Sequence, residues 1–237
     1  MDNSTVCHNQ ISQPPPRLCI NCDVREQSVC GVLSERELEI FASATHNKRH
    51  QTGETVVSQG DPAVFFYNLV TGALRLVKLM PNGRRQIIGF LYPGDFLGLA
   101  TRDTYPYAAE ALGDTVLCQF EKRSFTAFLE QSPEMRAELL ERANSELTLA
   151  QDQMLLLGRK TPSERLATFL LRLPEKDDGS IQLVMTRQDI ADYLGLTIET
   201  VSRTFSRFKA EGLLSLPSRA TVMILTRPQL QAMVDES

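Results

Sequence analysis

TRQDIADYLGLTIETVSRTFSRFKAEGLLSL, residues 186–216, decides how this chain is read. Thr186 stands three residues before Asp189, the spacing of a helix N-cap answered by an acid at the third helical position. Ile190, Ala191 and Leu194 supply a buried face, and Gly195 ends the helix. Leu196-Thr197 makes a tight turn, and a second helix runs on to Glu211-Gly212. Two helices joined by a short glycine turn form a helix-turn-helix, whose second helix can enter the DNA major groove. Val201, Phe205 and Phe208 are its inward stripe. Thr197, Glu199, Thr200, Ser202 and Arg203 occupy its start and are the candidate DNA contacts. Glutamate accepts from cytosine N4, and arginine donates to guanine O6 and N7. Glu199 and Arg203 fit a solvated i,i+4 ion pair worth about 0.2–0.5 kcal/mol equally well, and residue chemistry alone does not choose. Residues 213–216 and 221–225 then read as a two-stranded wing.

Upstream, Thr161-Pro162-Ser163-Glu164 caps a helix with an apolar face of Leu166, Phe169, Leu170 and Leu173. Asp177-Asp178-Gly179 is a turn, and a brief strand starts at Ile181. Before them lies SPEMRAELLERANSELTLAQDQMLLLGRK, residues 132–160, which predicts one long helix opened by Ser132, Pro133 and Glu134. Leu140, Ala143, Leu147, Ala150, Met154 and Leu157 recur at spacings of 3, 4, 3, 4 and 3, a heptad seam. A helix packed inside one domain shows the same periodicity. A seam under three heptads long gives a weak dimer by itself, which suits an equilibrium that a signal tips.

From about residue 48 to 122 the texture is short strands: 55–57, 65–70, 74–79, 85–91 and 115–120. Gly60-Asp61-Pro62, Thr71-Gly72, Pro81-Asn82-Gly83 and Pro93-Gly94-Asp95 divide them, and Asn82-Gly83 is a hairpin signal. This pattern predicts an antiparallel barrel or jelly roll. Val116, Cys118 and Phe120 share a strand face, so Cys118 reads first as a small core residue. Cys19, Cys22 and Cys30 form a C-x2-C-x7-C run. Three close thiols suit a soft metal or an iron–sulfur cluster, although zinc sites and redox dithiols also use C-x2-C, and local chemistry names no fourth ligand. Ser34 with Glu37 caps a short helix over about 34–44, and another short helix covers Phe125 to Glu130. Residues 1–18, with Cys7, His8 and three consecutive prolines, read as a mobile tail, and His46 and His50 read as surface residues.

The 237 residues carry a net charge of −4, which by itself does not suggest nucleic acid. Residues 186–227, however, hold six Lys or Arg against four Asp or Glu, 6 − 4 = +2, compatible with a local DNA-facing surface. No apolar run reaches the roughly 20 residues of a membrane span and no secretory signal is visible, so a cytoplasmic location is expected. A zincin motif, nucleophile elbow, P-loop and dinucleotide fingerprint are all missing, so no enzyme is expected.

In this order the elements resemble the CRP/FNR superfamily of bacterial transcription regulators, from Cys19 to the C-terminus. DIADYLGLTIETVSRTFSRF is the most specific match. The resemblance implies an α+β fold: a cyclic-nucleotide-binding-like β-roll with its cysteine segment (19–131), a dimerisation helix (132–160) and a winged helix-turn-helix (161–237). The E-x-x-S-R spacing of Glu199, Ser202 and Arg203 is similar to that of the FNR branch, which implies a palindromic TTGAT-like site. Cys19, Cys22, Cys30 and Cys118 match the four ligands of the [4Fe–4S] cluster in FNR-type oxygen sensors. The seven-residue spacer before Cys30 departs from the five-residue spacer of the best-known members. The family further implies a homodimer, mainly activating, that contacts RNA polymerase, with the hairpin at Asn82 to Arg85 as a candidate contact. In the cyclic-nucleotide branch Gly-Glu precedes Arg-Ser or Arg-Thr. Here Gly94-Asp95 is followed by Tyr107-Ala108, so a buried cyclic phosphate would lack its charge partner. The alternative is a regulator of this fold without the cluster, with structural zinc or another effector.

Overall fold

The computed structural model describes Cys19, residues 21–99 and residues 103–235, so the tail with Cys7 and His8 lies outside the described residues. Among these, alternating segments give eight strands: β1 (Thr45–His50), β2 (Thr55–Val57), β3 (Phe65–Thr71), β4 (Leu74–Leu79), β5 (Arg85–Leu91), β6 (Phe96–Leu97), β7 (Ala108–Ala111) and β8 (Thr115–Glu121). They pair antiparallel into two four-stranded sheets, ordered β1-β8-β3-β6 and β2-β7-β4-β5, the expected roll. Tyr67, Leu69, Leu74, Ala109 and Leu117 fill the space between the sheets. The β3–β4 turn needs Gly72, which has φ 88°, and a Cβ there would lie 2.5 Å from Thr115 Oγ1.

Side chains alternate across a strand, so residues beside Leu117 and Leu69 point out of the roll. On that outer side Phe120 joins Phe41, Phe96 and Phe125 in a second core. It is covered by a 3-10 helix (Val29–Val32), α1 (Glu35–Ser43), α2 (Lys122–Gln131) and the first turn of α3 (Pro133–Arg159), which contributes Met135. Ser34 and Glu37 form the anticipated capping box of α1, and Ser132 caps α3 by accepting from the Met135 N–H at 3.4 Å. Both faces of the β3–β8 pair are therefore packed.

After α3 come α4 (Pro162–Arg172), β9 (Ser180–Gln182), α5 (Arg187–Leu194), α6 (Ile198–Ala210), β10 (Leu214–Ser215), β11 (Thr221–Ile224) and α7 (Arg227–Asp235). Thr186 and Asp189 form the capping box of α5, and Gly195, at φ 62°, ends it. The expected two-stranded wing is one strand larger, because β9 pairs with β11 in a sheet ordered β10-β11-β9. Leu166, Leu170, Ile190, Leu194, Val201, Phe205, Phe208 and Leu230 share one core.

The roll meets this C-terminal unit through α5. Asp189, whose side chain is wholly buried, accepts from Arg75 of β4 at 2.8 Å and Arg85 of β5 at 3.1 Å. Arg75 also pairs with Glu110 at 2.7 Å, and Arg85 with Asp192 at 2.6 Å. Gln86 donates to the Asp192 carbonyl, Gln153 of α3 donates to the Tyr193 carbonyl at 3.0 Å, and Phe90 packs on the Tyr193 and Phe169 rings.

Candidate functional site

The cysteine segment braces itself before it reaches the roll. The Arg25 N–H donates to the Cys22 carbonyl at 3.0 Å, the Ser28 N–H to the Arg25 carbonyl at 3.1 Å, and the Arg25 guanidinium to the Leu33 carbonyl at 3.0 Å. Ser28 caps the 3-10 helix by accepting from the Cys30 N–H at 3.2 Å. The segment lies over the outer face of β8, so Cys118 belongs to a pocket under it and not to the interior of the roll. Cys19, Cys30 and Cys118 all pack against the second core, around Phe41, Phe120 and Phe125.

All four thiols are free and partly exposed. Burial raises Cys30 to about 12, helped by the nearby charges of Cys19 and Cys22 and opposed by a Ser28 hydrogen bond and the Arg25 charge. Burial likewise raises Cys118 to about 12, and Cys30, Cys19 and Cys22 all bear on it electrostatically. Cys19 is raised by burial too, with the nearby Thr45 side chain opposing the shift there and at Cys118. Asn68 of β3 donates from Nδ2 to Cys30 Sγ at 3.5 Å. The structure thus brings the four cysteines close enough to influence one another's charge, and aims the Asn68 amide at the Cys30 sulfur. Among the described residues no group of three or more His, Cys, Asp or Glu is arranged to hold a single metal ion. A cluster needs a different shape: each thiolate binds its own iron, so the sulfurs surround a cube instead of converging on a point. An all-sulfur donor set with an amide N–H on one sulfur fits such a soft group.

Along α3, Leu140, Leu147 and Met154 are 64%, 58% and 66% exposed, and Ala143 and Ala150 lie open beside them. Leu157 leaves this row. It is half-buried against the C-terminal core, where a Cβ on Gly195 would stand 3.3 Å from its Cδ2. Sequence reasoning missed Arg142, on the same helix. Its guanidinium donates to the Gln27 carbonyl of the cysteine segment at 2.8 Å and the Gly94 carbonyl at 3.3 Å, and pairs with Glu138 at 2.6 Å. A sequence shows a surface arginine there; the carbonyls it reaches are 115 and 48 residues away.

On α6 the face bearing Glu199, Ser202 and Arg203 is exposed, opposite buried Val201, Thr204, Phe205 and Phe208. Thr197 is the N-cap and accepts from the Thr200 N–H at 3.2 Å; the two hydroxyls are 3.1 Å apart, so both residues also shape the helix start. Glu199 is held below the usual carboxylate range by its own backbone N–H and the Thr197 hydroxyl, and more weakly by Arg203. Arg207 reaches Ser163 at the start of α4. An open cleft of about 570 Å³ lies between them, lined by Thr161, Ser163, Thr200, Arg203 and Arg207. Arg187, stacked 3.1 Å from the Phe205 ring centroid, is lowered by burial to about 10 and stays cationic at neutral pH.

Two other sites differ from the simple reading of their residues. In the 82–85 hairpin, Arg85 turns inward to Asp189 and Asp192, while Asn82 accepts from the Arg84 N–H at 3.1 Å. Tyr107 and Ala108 are buried in the roll, so that position presents no cation to a phosphate, and the Asp95 carboxylate is occupied by the Tyr92 N–H at 2.7 Å. His50, expected at the surface, is half-buried on β1, 3.6 Å from Glu54.

Comparisons with known proteins agree with this architecture. Residues 47–132 match the cyclic nucleotide-binding domain family, and residues 164–233 match the Crp-like helix-turn-helix domain family. The nitrogen fixation regulation protein FixK of Bradyrhizobium diazoefficiens is 42% identical over 210 residues, covering 86% of this chain and 89% of that protein. The transcriptional activator protein FnrL of Cereibacter sphaeroides is 35% identical over 216 residues, covering 87% of each. The solved structure of FixK2 from Bradyrhizobium japonicum superposes with a TM-score of 0.76 at 37% identity, over 80% of this chain and 96% of that one. These relatives are transcription regulators and not enzymes. No described helix is long and apolar enough to cross a membrane. With both halves matched and such identity along most of its length, the chain belongs to the CRP/FNR superfamily of transcription regulators.

Proposed function

We propose that this protein is an oxygen-responsive, cytoplasmic regulator that acts as a homodimer on a palindromic TTGAT-like site and mainly activates transcription. Cys19, Cys22, Cys30 and Cys118 would hold a [4Fe–4S] cluster. When bound, that group would supply oxygen-labile iron–sulfide bonds and thiolate links tying residues 19–30 to β8. The observation that carries the reading is Arg142, which joins the cysteine segment to the helix bearing the exposed leucine row. While the segment rests on the roll, the Gln27 and Gly94 carbonyls fix Arg142, and α3 keeps one face free for a second copy. A segment that lifts away takes Gln27 with it and leaves that face less well held, so dimerisation follows the state of the cysteines. In the dimer two α6 helices stand about one helical turn of DNA apart, with Glu199, Ser202 and Arg203 on base edges. The 82–85 hairpin faces RNA polymerase.

Anaerobic purification with iron and acid-labile sulfide assays tests this. About four irons per chain are expected for a [4Fe–4S] group, with a broad visible band that bleaches in air. Cys22→Ser should abolish anaerobic dimerisation, and an unchanged sedimentation profile would sink the coupling. A second reading, a regulator of this fold without the cluster that answers to another effector, draws on the lack of a metal-ion site among the described residues, an observation that also counts against structural zinc. A colourless protein, with zinc or no metal, that is still dimeric on DNA would remove the oxygen sensor and leave the DNA-binding reading intact.

A further inference from the structure

Asn68 is a buried polar residue that the fold alone does not call for. It is 3% exposed on β3, in register with Cys118 on β8, and it points to the outer face where the cysteine segment lies. Its Nδ2 donates to Cys30 Sγ at 3.5 Å, and its Oδ1 has no hydrogen-bond partner although it is buried. Valine or leucine would fill the same space without stranding an oxygen, so the amide carries a cost that packing does not return. A hydrogen bond to sulfur strengthens as the sulfur gains negative charge, which makes the N–H more useful to a ligand thiolate than to a neutral thiol.

We propose that Asn68 is a positioning residue for the cysteine-held cluster: its amide N–H on Cys30 Sγ raises the reduction potential of that group and slows its reaction with oxygen. The inference rests on the function proposed above. Hydrogen bonds to cluster sulfurs favour the more reduced, more negative state, so removing one lowers the potential. Asn68 reaches across from the roll to the segment, so it also sets where Cys30 sits relative to Cys118.

Asn68→Leu and Asn68→Gln separate donation from packing, since leucine keeps the shape of asparagine without a donor and glutamine keeps an amide N–H. The full chain, reconstituted anaerobically with iron and sulfide, is followed by iron content, reduction potential and loss of the visible band after a fixed addition of oxygen. The Leu variant should load iron, shift to a more negative potential and bleach several-fold faster than the parent. The Gln variant should lie between the two. A Leu variant that loads iron and keeps the parent's potential and bleach rate overturns the inference and leaves the proposed function standing. A parent chain that takes up no iron overturns both, and the two failures are told apart by the parent alone.

Discussion

Cys30 and Cys118 titrate near 12 because burial withholds water from the thiolate, with neighbouring cysteine charges adding to the shift. In the metal-free protein at pH 8 both should therefore alkylate about a thousandfold more slowly than an ordinary cysteine of pKa ≈ 8.5, read by mass spectrometry of iodoacetamide adducts. Opening the fold should restore the ordinary rate. At the other end of the molecule, Arg203 stands on the exposed face of α6. Arg203→Ala should weaken binding to a TTGAT-like duplex by about 1–3 kcal/mol and relax the preference at one base pair, measured by fluorescence anisotropy on single-base variants. Loss spread equally over all sequences would make it a phosphate contact instead. Residues such as Cys22 and Arg203 were legible because their neighbours in sequence form a motif. Asn68 and Arg142 were not, because each acts on an atom far along the chain, and nothing local distinguishes them from a strand polar residue or a helix surface charge.

The elements were legible wherever apolar periodicity or a cap announced them, as in α1, α4, α5, α6 and most of the roll. β1 escaped because THNKRH is almost wholly polar: its burial is slight, and it is held by the ladder to β8. β7, Ala-Ala-Glu-Ala, has no β-branched or aromatic residue, and its place is set by pairing with β2 and β4. On α3, Leu157, the last residue of the heptad row, is half-buried against the C-terminal core while the others are exposed. The seam open to a partner is Leu140, Ala143, Leu147, Ala150 and Met154. Leu147→Arg puts a charge at its centre and should raise the dimer dissociation constant by at least tenfold, about 1.4 kcal/mol. Analytical ultracentrifugation of cluster-loaded protein checks it; an unchanged constant would place the dimer contact elsewhere.

Across the whole molecule, Asp189 performs two tasks with one carboxylate. Its Oδ2 accepts from the Thr186 N–H at 2.9 Å and from the Thr186 hydroxyl at 2.7 Å, which starts α5, while Oδ1 takes the two roll arginines. Burial alone would raise its pKa, but the Thr186 hydrogen bonds and then the Arg75 and Arg85 charges outweigh it, and the net shift is downward. A folded pKa below the unfolded value of about 3.9 means this stabilisation is present above about pH 4 and lost as pH falls through the folded value. The melting temperature should therefore hold level from pH 8 to 5 on this account and drop below about pH 4. Asp189→Asn removes one partner of a buried pair and should cost of order 3 kcal/mol, separating the thermal unfolding of roll and reader into two transitions. A single transition at the parent temperature would show that the ion pairs do not couple them.

Arg75 and Arg85 also restrict how such proteins can be recombined. A chimaera that grafts this β-roll onto a foreign reader keeps two arginines facing the seat of α5. If the graft lacks acids at the places of Asp189 and Asp192, Arg85 is left at the boundary with no counter-charge and Arg75 keeps Glu110 alone, however well each half folds by itself. Compatible donors can be chosen beforehand by reading two positions on each side of the junction.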